Sequence, residues 1–366
     1  MSVPAERRSR LGASAAGEGL DWLIVAEEHD LRWLTGFTGT NGLALCPADE
    51  GAEGLFVTDF RYVEQAAAQL PDGWIVERAR GELLGAGLAE VLGGRRLGRV
   101  GFDPGQLSVA QFAALSEAIA GDAELVEAKG LASGLREVKD AEEIARIAAA
   151  TELGAQALEA VLERGLSNRT EREVAIDLEV TIIGLGADGL SFPPIVASGP
   201  HGALPHAEPR DVPVADGSLV TIDWGARLDG YCSDCTRTFA VGDVGPEERE
   251  VYGLVDEARR AGTGALRPGT SGREVDAAAR AVIESAGYGE YFGHGLGHGV
   301  GLDVHEGPTL SPRGTAEPLQ AGMVVTVEPG IYLPGRFGVR IEDLLVVEAQ
   351  EPRFLTVPAE GLADAG

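Results

Sequence analysis

Residues 220–239 read VTIDWGARLDGYCSDCTRTF, a pattern that predicts a β-hairpin. The Asp229-Gly230 pair is a strong signal for a two-residue turn between strands. If this pair forms the loop, Asp223 faces Thr236 on the opposite strand. Asp234 lies two residues from Thr236, so the two aspartates are predicted to project from one sheet face as diagonal neighbours, with about 7 to 8 Å between backbones. Two carboxylates that converge in this way can hold two cations.

The two aspartates of this hairpin would repel each other, and each would raise the pKa of the other. A divalent ion reverses that cost. The alternative is that both acids lie on a solvated face. Their apolar neighbours, Ile222, Trp224 and Phe239, favour the buried arrangement, although a loop longer by one residue would change the register.

A second β-rich stretch, residues 324–347, reads VVTVEPGIYLPGRFGVRIEDLLVV and places two glutamates in apolar runs. A buried glutamate is costly unless it is paired or bound to a metal. With a three-residue loop centred on Gly335, Glu328 lies directly across from Glu342, whereas a two-residue loop would put them on opposite faces. Arg340 shares the strand face of Glu342 and is predicted to orient a ligand carboxylate, the alternative being a surface salt bridge.

Between these stretches, residues 292–306 read FGHGLGHGVGLDVHE. His294 and His298 are four residues apart, but the glycines argue against a helix and permit close approach to a ligand. The stretch lacks the GK[ST] ending of a phosphate loop. Four carboxylates with imidazoles favour two divalent ions such as Mn²⁺, Co²⁺ or Zn²⁺ over metals that prefer thiolates. Of the other histidines, we expect His201 at the surface or the pocket rim and His29 in a structural role.

The chain has three cysteines, Cys46, Cys232 and Cys235, which suggest no disulfide framework and favour a reducing compartment. Cys232-Ser-Asp-Cys235 is formally a CxxC motif. A structural zinc site needs four ligands, and a redox CxxC opens a helix. This pair is predicted to lie inside a strand, where alternation sends the two sulfurs to opposite faces. A redox role is therefore disfavoured.

Lys plus Arg number 30 and Asp plus Glu number 58, which gives a formal net charge of -28. This balance argues against nucleic acid and anionic membranes as partners, because both attract Lys and Arg. No apolar run reaches membrane-spanning length, and the basic residues near the N-terminus precede no apolar stretch of the kind found in signal peptides. We expect a cytoplasmic protein.

The length of 366 residues predicts two domains at roughly 150 residues each. Short apolar runs alternate with helical patterns in the first part, which predicts an α/β domain at residues 1–128. Capping-box signals at Asp140/Glu143 and Thr170/Glu173 then predict helix starts, and β-rich stretches predict an α+β domain with antiparallel hairpins at residues 129–366. The expected strands of the first domain are 22–26, 42–46, 54–58, 74–76 and 99–102, and its expected helices are 61–70, 82–92 and 108–120. Further helices are expected after Pro246 and at 271–286.

Five blocks resemble the pita-bread metallopeptidases, specifically the Xaa-Pro aminopeptidase and prolidase branch. In the family's order they are IDWG at 222–225, YCSDCTRTF at 231–239, HGLGHGVGLDVHE at 294–306, VEPGIY at 327–332 and VRIED at 339–343. LTGF at 34–37 and TDFRY at 58–62 resemble the family's creatinase-like domain. The resemblance implies an α+β pita-bread catalytic domain with an N-terminal α/β creatinase-like domain, and a homodimer.

The resemblance also implies the site residues. The implied ligands of two divalent ions are Asp223, Asp234, His298, Glu328 and Glu342. Asp234 and Glu342 would bridge the ions, and we expect Mn²⁺, with Co²⁺ and Zn²⁺ as alternatives. The substrate-handling histidines would be His206, His294 and His305, with Tyr332 and Arg340 supporting the ligands.

The implied activity is hydrolysis of the bond between an N-terminal residue and proline in the second position of a peptide, as in an Xaa-Pro aminopeptidase. An Xaa-Pro dipeptidase (prolidase) is the alternative, and a non-catalytic binding protein on the same fold is less favoured. Glu328 is the implied proton shuttle, while His294 and His305 would stabilise charge on the tetrahedral oxygen. Cys235 departs from the family because an apolar residue such as methionine is expected there. No residue matches a holder of a dipeptide's free carboxylate, which leaves dipeptidase activity an open alternative.

Overall fold

The computed structural model describes residues 3–314 and 316–366, and the chain divides into two compact units, one ending at Arg136 and one beginning at Glu137. The expectation of functional domains at residues 1–128 and 129–366 stays a prediction. Within the described residues, none of the helices combines the length and hydropathy that a bilayer crossing requires.

The first unit is a mixed six-stranded sheet with helices between its strands, in the order β4-β3-β2-β1-β5-β6. Its elements are α1 (Val3–Gly17), β1 (Trp22–Val25), α2 (Glu28–Thr35), β2 (Gly42–Pro47), β3 (Gly54–Thr58), α3 (Val63–Gln69), β4 (Trp74–Arg78), α4 (Ala86–Leu92), β5 (Gly98–Phe102), α5 (Val109–Ala118), β6 (Ala123–Glu127) and α6 (Leu131–Arg136). All five predicted strands and all three predicted helices form. Four further elements, α1, α2, β6 and α6, were not predicted from the sequence.

The second unit combines four long helices with short, mostly antiparallel strands. Its elements are α7 (Ala141–Leu162), α8 (Glu171–Gly184), β7 (Gly189–Leu190), β8 (Ile195–Ser198), β9 (Ser218–Trp224), β10 (Ala226–Leu228), β11 (Tyr231–Cys232), β12 (Cys235–Val241), α9 (Pro246–Ala265), α10 (Gly272–Ser285), β13 (Gly297–Gly299), β14 (Glu306–Leu310), β15 (Val324–Val327), β16 (Gly330–Leu333), β17 (Phe337–Arg340), β18 (Asp343–Val346) and β19 (Arg353–Phe354). The sheets have the orders β11-β10-β7, β12-β9-β8, β14-β13-β15-β18-β19 and β16-β17.

The helix starts in the second unit follow their capping signals. The Asp140 side chain accepts from the backbone of Glu142 and Glu143, and Glu143 completes the predicted capping box at the start of α7. The same reciprocal pair forms between Thr170 and Glu173 at the start of α8. Because these side chains satisfy backbone N–H groups that the first helical turn leaves free, the predicted starts of both helices are confirmed.

Two apolar cores hold this unit together. One joins α7 and α8 to the sheet of β8, β9 and β12 through residues such as Val161, Leu178 and Ile222. The other joins α9 and α10 to β15, β16 and β17 through residues such as Val255 and Val327. Each core therefore fixes one of the two β regions that carry the candidate site residues.

Candidate metal centre and substrate cavity

The first predicted hairpin has the expected register. Leu228 pairs with Tyr231 across a turn in which Asp229 and Gly230 have φ of 49° and 78°, as a two-residue hairpin turn requires. Asp223 pairs with Thr236. The turn chemistry therefore fixes which residues face each other.

The hairpin is interrupted beside its second aspartate. Ser233 and Asp234 lie between β11 and β12, outside the ladder, and Ser233 N donates both to Ala226 O at 2.9 Å and to Ser191 Oγ at 3.2 Å. The expectation that the CxxC pair lies inside one strand is therefore wrong, because Cys232 ends one strand and Cys235 begins the next.

The second hairpin has the three-residue loop that puts its glutamates opposite each other. Leu333 pairs with Phe337 around Gly335, whose φ is 74°. The same register continues on both sides of the glutamates, with Gly330 opposite Arg340 and Val327 opposite Asp343. Glu328 and Glu342 consequently occupy facing positions between two paired regions.

One cavity of about 590 Å³ in the second unit collects every residue that the sequence analysis assigned to the site. The five candidate ligands on its wall are Asp223, Asp234, His298, Glu328 and Glu342, and the candidate substrate-handling residues are His206, His294, His305, Tyr332 and Arg340. Ligand atoms of Asp234, His298 and Glu342 all lie within 4.8 Å of one another. Residues more than 130 positions apart in sequence thus reach one small volume.

Close backbone contacts position His298. Cβ atoms at its neighbours Gly297 and Gly299 would lie 2.1 Å from Thr326 O and 2.0 Å from Gly307 O, so no larger residue fits there without backbone movement. His298 N donates to Thr326 Oγ1 at 3.0 Å. The centre of the glycine-rich stretch is therefore a short strand, β13, packed tightly between β14 and β15, and the stretch is not a helix, as predicted.

The ring of His298 is oriented as a metal ligand would be. Its Nδ1 lies 3.1 Å from Gly299 O, and because a carbonyl only accepts, Nδ1 carries the hydrogen. Nε2 lies 3.3 Å from Glu328 Oε1 and 3.6 Å from Asp234 Oδ2, and in the neutral ring its lone pair would be available to a cation between them. Such a backbone acceptor behind a ligand histidine fixes its tautomer.

Two carboxylate oxygens at the site are buried without a hydrogen-bond partner among the described residues, namely Asp223 Oδ1 and Glu342 Oε1. Burial raises the pKa of Asp234 well above its ordinary value, and the charges of Glu342 and Asp223 raise it further. Burial likewise raises the pKa of Glu342, with the charges of Glu328 and Asp223 added. An unpartnered buried oxygen and mutual repulsion are both costs that bound cations would remove. The residues present therefore fit divalent metal ions.

Glu328 forms a polar pair with His298. Burial raises the pKa of Glu328, but the hydrogen bond and the charge of His298 lower it more, so the net pKa lies below the ordinary value. Burial lowers the pKa of His298, whereas its bond to Glu328 raises it to a net value above the ordinary one. The two directions agree, because each partner favours the charged form of the other.

Arg340 is buried and contacts a candidate ligand directly, as predicted, so the alternative of a surface salt bridge is wrong. Its Nη2 donates to Asp223 Oδ2 at 2.7 Å, and its Nη1 donates to Tyr332 Oη at 2.9 Å. Its Nε donates to Thr236 Oγ1 at 3.0 Å. One guanidinium thus links both hairpins.

His294 has partners on both ring nitrogens. Nδ1 lies 2.7 Å from Gly295 O and therefore carries a hydrogen, so in the neutral ring Nε2 accepts from Tyr332 Oη at 3.0 Å. Burial is the largest cause that lowers the pKa of His294 below its ordinary value, which favours this neutral form. Burial also lowers the pKa of His305, whose ring centroid lies 4.3 Å from that of His298.

Two threonines that the sequence analysis did not select hold the ligands. Thr236 Oγ1 donates to Glu342 Oε2 at 2.8 Å, and Glu342 N donates to Thr236 O at 3.1 Å, which joins the two hairpins. Thr326 Oγ1 donates to Glu328 Oε1 at 3.3 Å. The predicted register already placed Thr236 opposite Asp223, and this position could have indicated that Thr236 contacts the site.

The position expected for His201 is wrong. Its side chain is largely buried and is absent from the wall of the cavity, and its Nδ1 lies 2.9 Å from Glu171 Oε2. Nothing local to His201 predicts this, because its partner precedes it by 30 residues. The three cysteines are free and buried, in line with the absence of a disulfide framework.

The comparisons with known proteins agree with this architecture. Residues 145–349 match Metallopeptidase family M24, and residues 7–138 match the Creatinase/Prolidase N-terminal domain. The chain is 41% identical to the uncharacterized peptidase YqhT of Bacillus subtilis over 92% of this chain and 94% of that one. An Xaa-Pro dipeptidase from Bacillus anthracis has a similar structure, with a TM-score of 0.93 and 38% identity over 98% of this chain and 99% of that one. An X-Pro aminopeptidase from Thermotoga maritima is also similar, with a TM-score of 0.86 and 34% sequence identity over 96% of this chain and 99% of that one.

Proposed function

The chain belongs to metallopeptidase family M24, and from this membership we propose that it hydrolyses the bond between an N-terminal residue and a following proline, as an Xaa-Pro aminopeptidase. Both the family and the fold class, a creatinase-like N-terminal domain with a pita-bread catalytic domain, agree with the sequence analysis. The observation that carries the proposal is the collection of four carboxylates and one imidazole on the wall of a single cavity. A complete donor set argues against a non-catalytic binding protein.

Xaa-Pro dipeptidase activity is the second candidate. The observation that favours it is the higher TM-score of the Bacillus anthracis dipeptidase relative to the Thermotoga maritima aminopeptidase. The two candidates cleave the same bond and differ in whether the peptide continues beyond proline, so they require the same metal centre.

We assign the metal ligands as the sequence analysis did. Asp234 and Glu342 would bridge two divalent ions, Asp223 would complete one ion, and His298 with Glu328 would complete the other. The donor set of oxygens with one imidazole supports Mn²⁺, with Co²⁺ and Zn²⁺ as alternatives. When bound, such ions lower the pKa of a water molecule and polarise the scissile carbonyl.

The protein's own residues supply the proton transfer and the orientation. A Glu328 oxygen would accept the proton of the attacking water and deliver it to the leaving prolyl nitrogen. Arg340 keeps Asp223 in place, and Thr236 keeps Glu342 in place, through the bonds described above. His206, His294 and His305 would contact the substrate, and His294 would have to exchange its bond with Tyr332 to donate from Nε2. The tertiary amide before proline has no N–H, so the cavity needs no acceptor for one.

The proposal also covers the location of the protein, its partners, its oligomeric state and its domain boundary. The free cysteines support a reducing, cytoplasmic location. The partner is a peptide substrate with proline in the second position, with neither nucleic acid nor membrane as a partner. A homodimer and a functional boundary between residues 128 and 129 are proposed on the family resemblance.

The decisive experiment compares the chelator-treated and the Mn²⁺-loaded protein on an Xaa-Pro dipeptide, an Xaa-Pro tripeptide and a Met-Ala peptide. We expect metal-dependent release of the first residue from a prolyl substrate and no cleavage of the Met-Ala peptide. Preference for the tripeptide supports the aminopeptidase, and preference for the dipeptide supports the second candidate. The proposal would be contradicted if neither prolyl substrate is cleaved in a metal-dependent way.

A further inference from the structure

A buried carboxylate outside the cavity holds both ends of a segment that forms part of the cavity wall. Glu171, the first residue of α8, is fully buried. Glu171 Oε1 accepts from Ser198 N and Ser198 Oγ, both at 2.8 Å. Its carboxylate also accepts from Arg210 N at 3.1 Å, Nε at 3.0 Å and Nη2 at 3.0 Å. One side chain therefore binds the residues at which the segment begins and ends, which we name the His206 segment (residues 198–210).

A third contact lies inside the segment. His201 Nδ1 is 2.9 Å from Glu171 Oε2, and because an ionised carboxylate only accepts, the ring donates. Hydrogen bonds to a charged acceptor are about twice as strong as neutral ones. The number and kind of these bonds make Glu171 the main polar anchor of the segment.

The middle of the His206 segment faces the candidate active site. Pro205, His206 and Ala207 line the cavity, and Arg340 Nη1 donates to Pro205 O at 3.1 Å. The His206 side chain itself is exposed. Its position therefore depends on how the backbone on either side of it is held.

The segment also rests directly on the strand that carries Arg340. A Cβ at Gly338 of β17 would lie 1.9 Å from Gly202 O, so the two backbones are in contact. The segment is thus held by Glu171 at its ends, by β17 at Gly202 and by Arg340 at Pro205.

We propose that Glu171 is a positioning residue for the peptidase reaction, which sets the place of His206 on the cavity wall through the two ends of the His206 segment. This inference rests on the proposed function, because His206 is taken to contact the peptide substrate. Glu171 touches neither the candidate ligands nor the cavity, so its effect is indirect.

The kinetic test replaces Glu171 by its uncharged isostere. Glu171→Gln keeps the shape but loses the charge that Arg210 and His201 bind. We expect kcat/KM on the preferred prolyl substrate to fall about 10- to 100-fold, because small misplacements of substrate-positioning groups have effects of that size. The change should fall on the same parameter, kcat or KM, that His206→Ala changes.

Glu173→Gln is the matched control. Glu173 lies in the same helical turn, and among the described residues its side chain accepts from Thr170 N alone, at 2.8 Å. Glutamine makes the same bond in a capping box. We expect kcat/KM of Glu173→Gln within about twofold of the parent. A loss equal to that of Glu171→Gln would show that the start of α8, and not the His206 segment, carries the effect, and would overturn the proposal.

A double variant separates positioning from a general structural role. If Glu171 acts through His206, Glu171→Gln adds less than about twofold to the loss of His206→Ala. Multiplication of the two losses would overturn the proposal, because it would mean that the residues act independently. If Glu171→Gln does not fold, Arg210→Gln is used in its place. This variant removes the bonds from the Arg210 side chain to Glu171, and it is compared alone and combined with His206→Ala in the same way.

A measurement that needs no substrate distinguishes failure of this inference from failure of the proposed function. Hydrogen–deuterium exchange of the full-length protein should be faster at residues 199–209 in Glu171→Gln than in the parent and Glu173→Gln. Unchanged exchange would overturn the positioning role even if the enzyme is active. Faster exchange in a protein that cleaves no prolyl peptide would support the anchoring role and contradict only the proposed function.

Discussion

Two adjacent carboxylates, Glu342 and Asp343, have opposite surroundings. Asp343 is completely buried and accepts from Arg237 Nη2 at 2.9 Å, from Thr356 Oγ1 at 3.0 Å and from Arg259 Nη1. Glu342 is buried too, but within the described part of the chain its carboxylate accepts from one hydroxyl, and Oε1 has no hydrogen-bond partner. Glu342 lies in the short link between β17 and β18, whereas Asp343 is the first residue of β18. Asp343 meets two arginines, and Glu342 meets three more acids.

The difference between Asp343 and Glu342 distinguishes a buried charge with a structural role from one at a candidate functional site. The chain neutralises Asp343 with its own cations, as buried charges require. At Glu342 it supplies a threonine, while Asp223, Asp234 and Glu328 lie around the same cavity. Arg340 pairs with Asp223, but Glu342 has no such partner among the described residues, and a cation from solution would neutralise it.

The largest expected effect is on the two proposed bridging ligands. Asp234→Asn and Glu342→Gln should each lower kcat/KM at least about 1000-fold with Mn²⁺ present, because in the proposed arrangement each side chain would serve both ions. In chelator the thermal midpoint of each variant should be no lower than that of the parent, since a neutral amide removes a repelled buried charge. Activity assays and thermal unfolding with and without metal check both statements. Activity within tenfold of the parent would overturn the bridging assignment.

The next effect concerns the stability that the neighbouring residue Asp343 contributes. Asp343→Asn leaves Arg237 and Arg259 without their shared carboxylate, and breaking a buried ion pair costs about 3–5 kcal/mol of unfolding free energy. Urea unfolding of the metal-free protein measures it. Asp243→Asn, at an exposed acid paired with Arg249, is the control and should leave the midpoint unchanged. Equal stability of the two variants would contradict the idea that the chain's own cations are needed at Asp343.

A third, similar-sized effect appears as pH dependence at Glu171. Burial raises the pKa of this carboxyl, but hydrogen bonds from Arg210 and Ser198 lower it more, from its ordinary value of 4.5 to about 2. Because the pKa is lower in the folded state, ionised Glu171 stabilises the fold above pH 4.5, and this contribution of about 3 kcal/mol is lost as the pH falls towards 2.

The check at Glu171 is a difference between two proteins. The unfolding free energy of the parent should fall more steeply between pH 5 and pH 3 than that of Glu171→Gln, since the variant has no carboxyl to protonate there. Glu173→Gln should follow the parent more closely than Glu171→Gln does. Parallel curves for the parent and Glu171→Gln would mean that the surroundings of Glu171 do not favour its charged form.

The contrast between these acids also explains which features the sequence could predict. Turn chemistry is local, so Asp229-Gly230 predicted the register of the first hairpin, and Gly335 suggested the three-residue loop that the second hairpin adopts, with a two-residue loop as the alternative. The partners of Glu171 and Asp343 lie from 13 to 106 residues away in sequence, and no spacing rule connects them. The same distance explains the error at His201, whose burial depends on the start of α8.

The smallest expected effect joins a local signal to a long-range contact. Glu143 completes the capping box at the start of α7, and it also accepts from Tyr231 Oη at 3.0 Å. Two of the partners of this acid are therefore neutral donors, Asp140 N and Tyr231 Oη. Tyr231→Phe should lower the unfolding free energy by about 1 kcal/mol, because Glu143 keeps its bond to Asp140 N. The loss should be the same with and without Mn²⁺, since Tyr231 is not on the cavity wall, whereas a loss confined to the metal-loaded protein would place this contact in the metal centre.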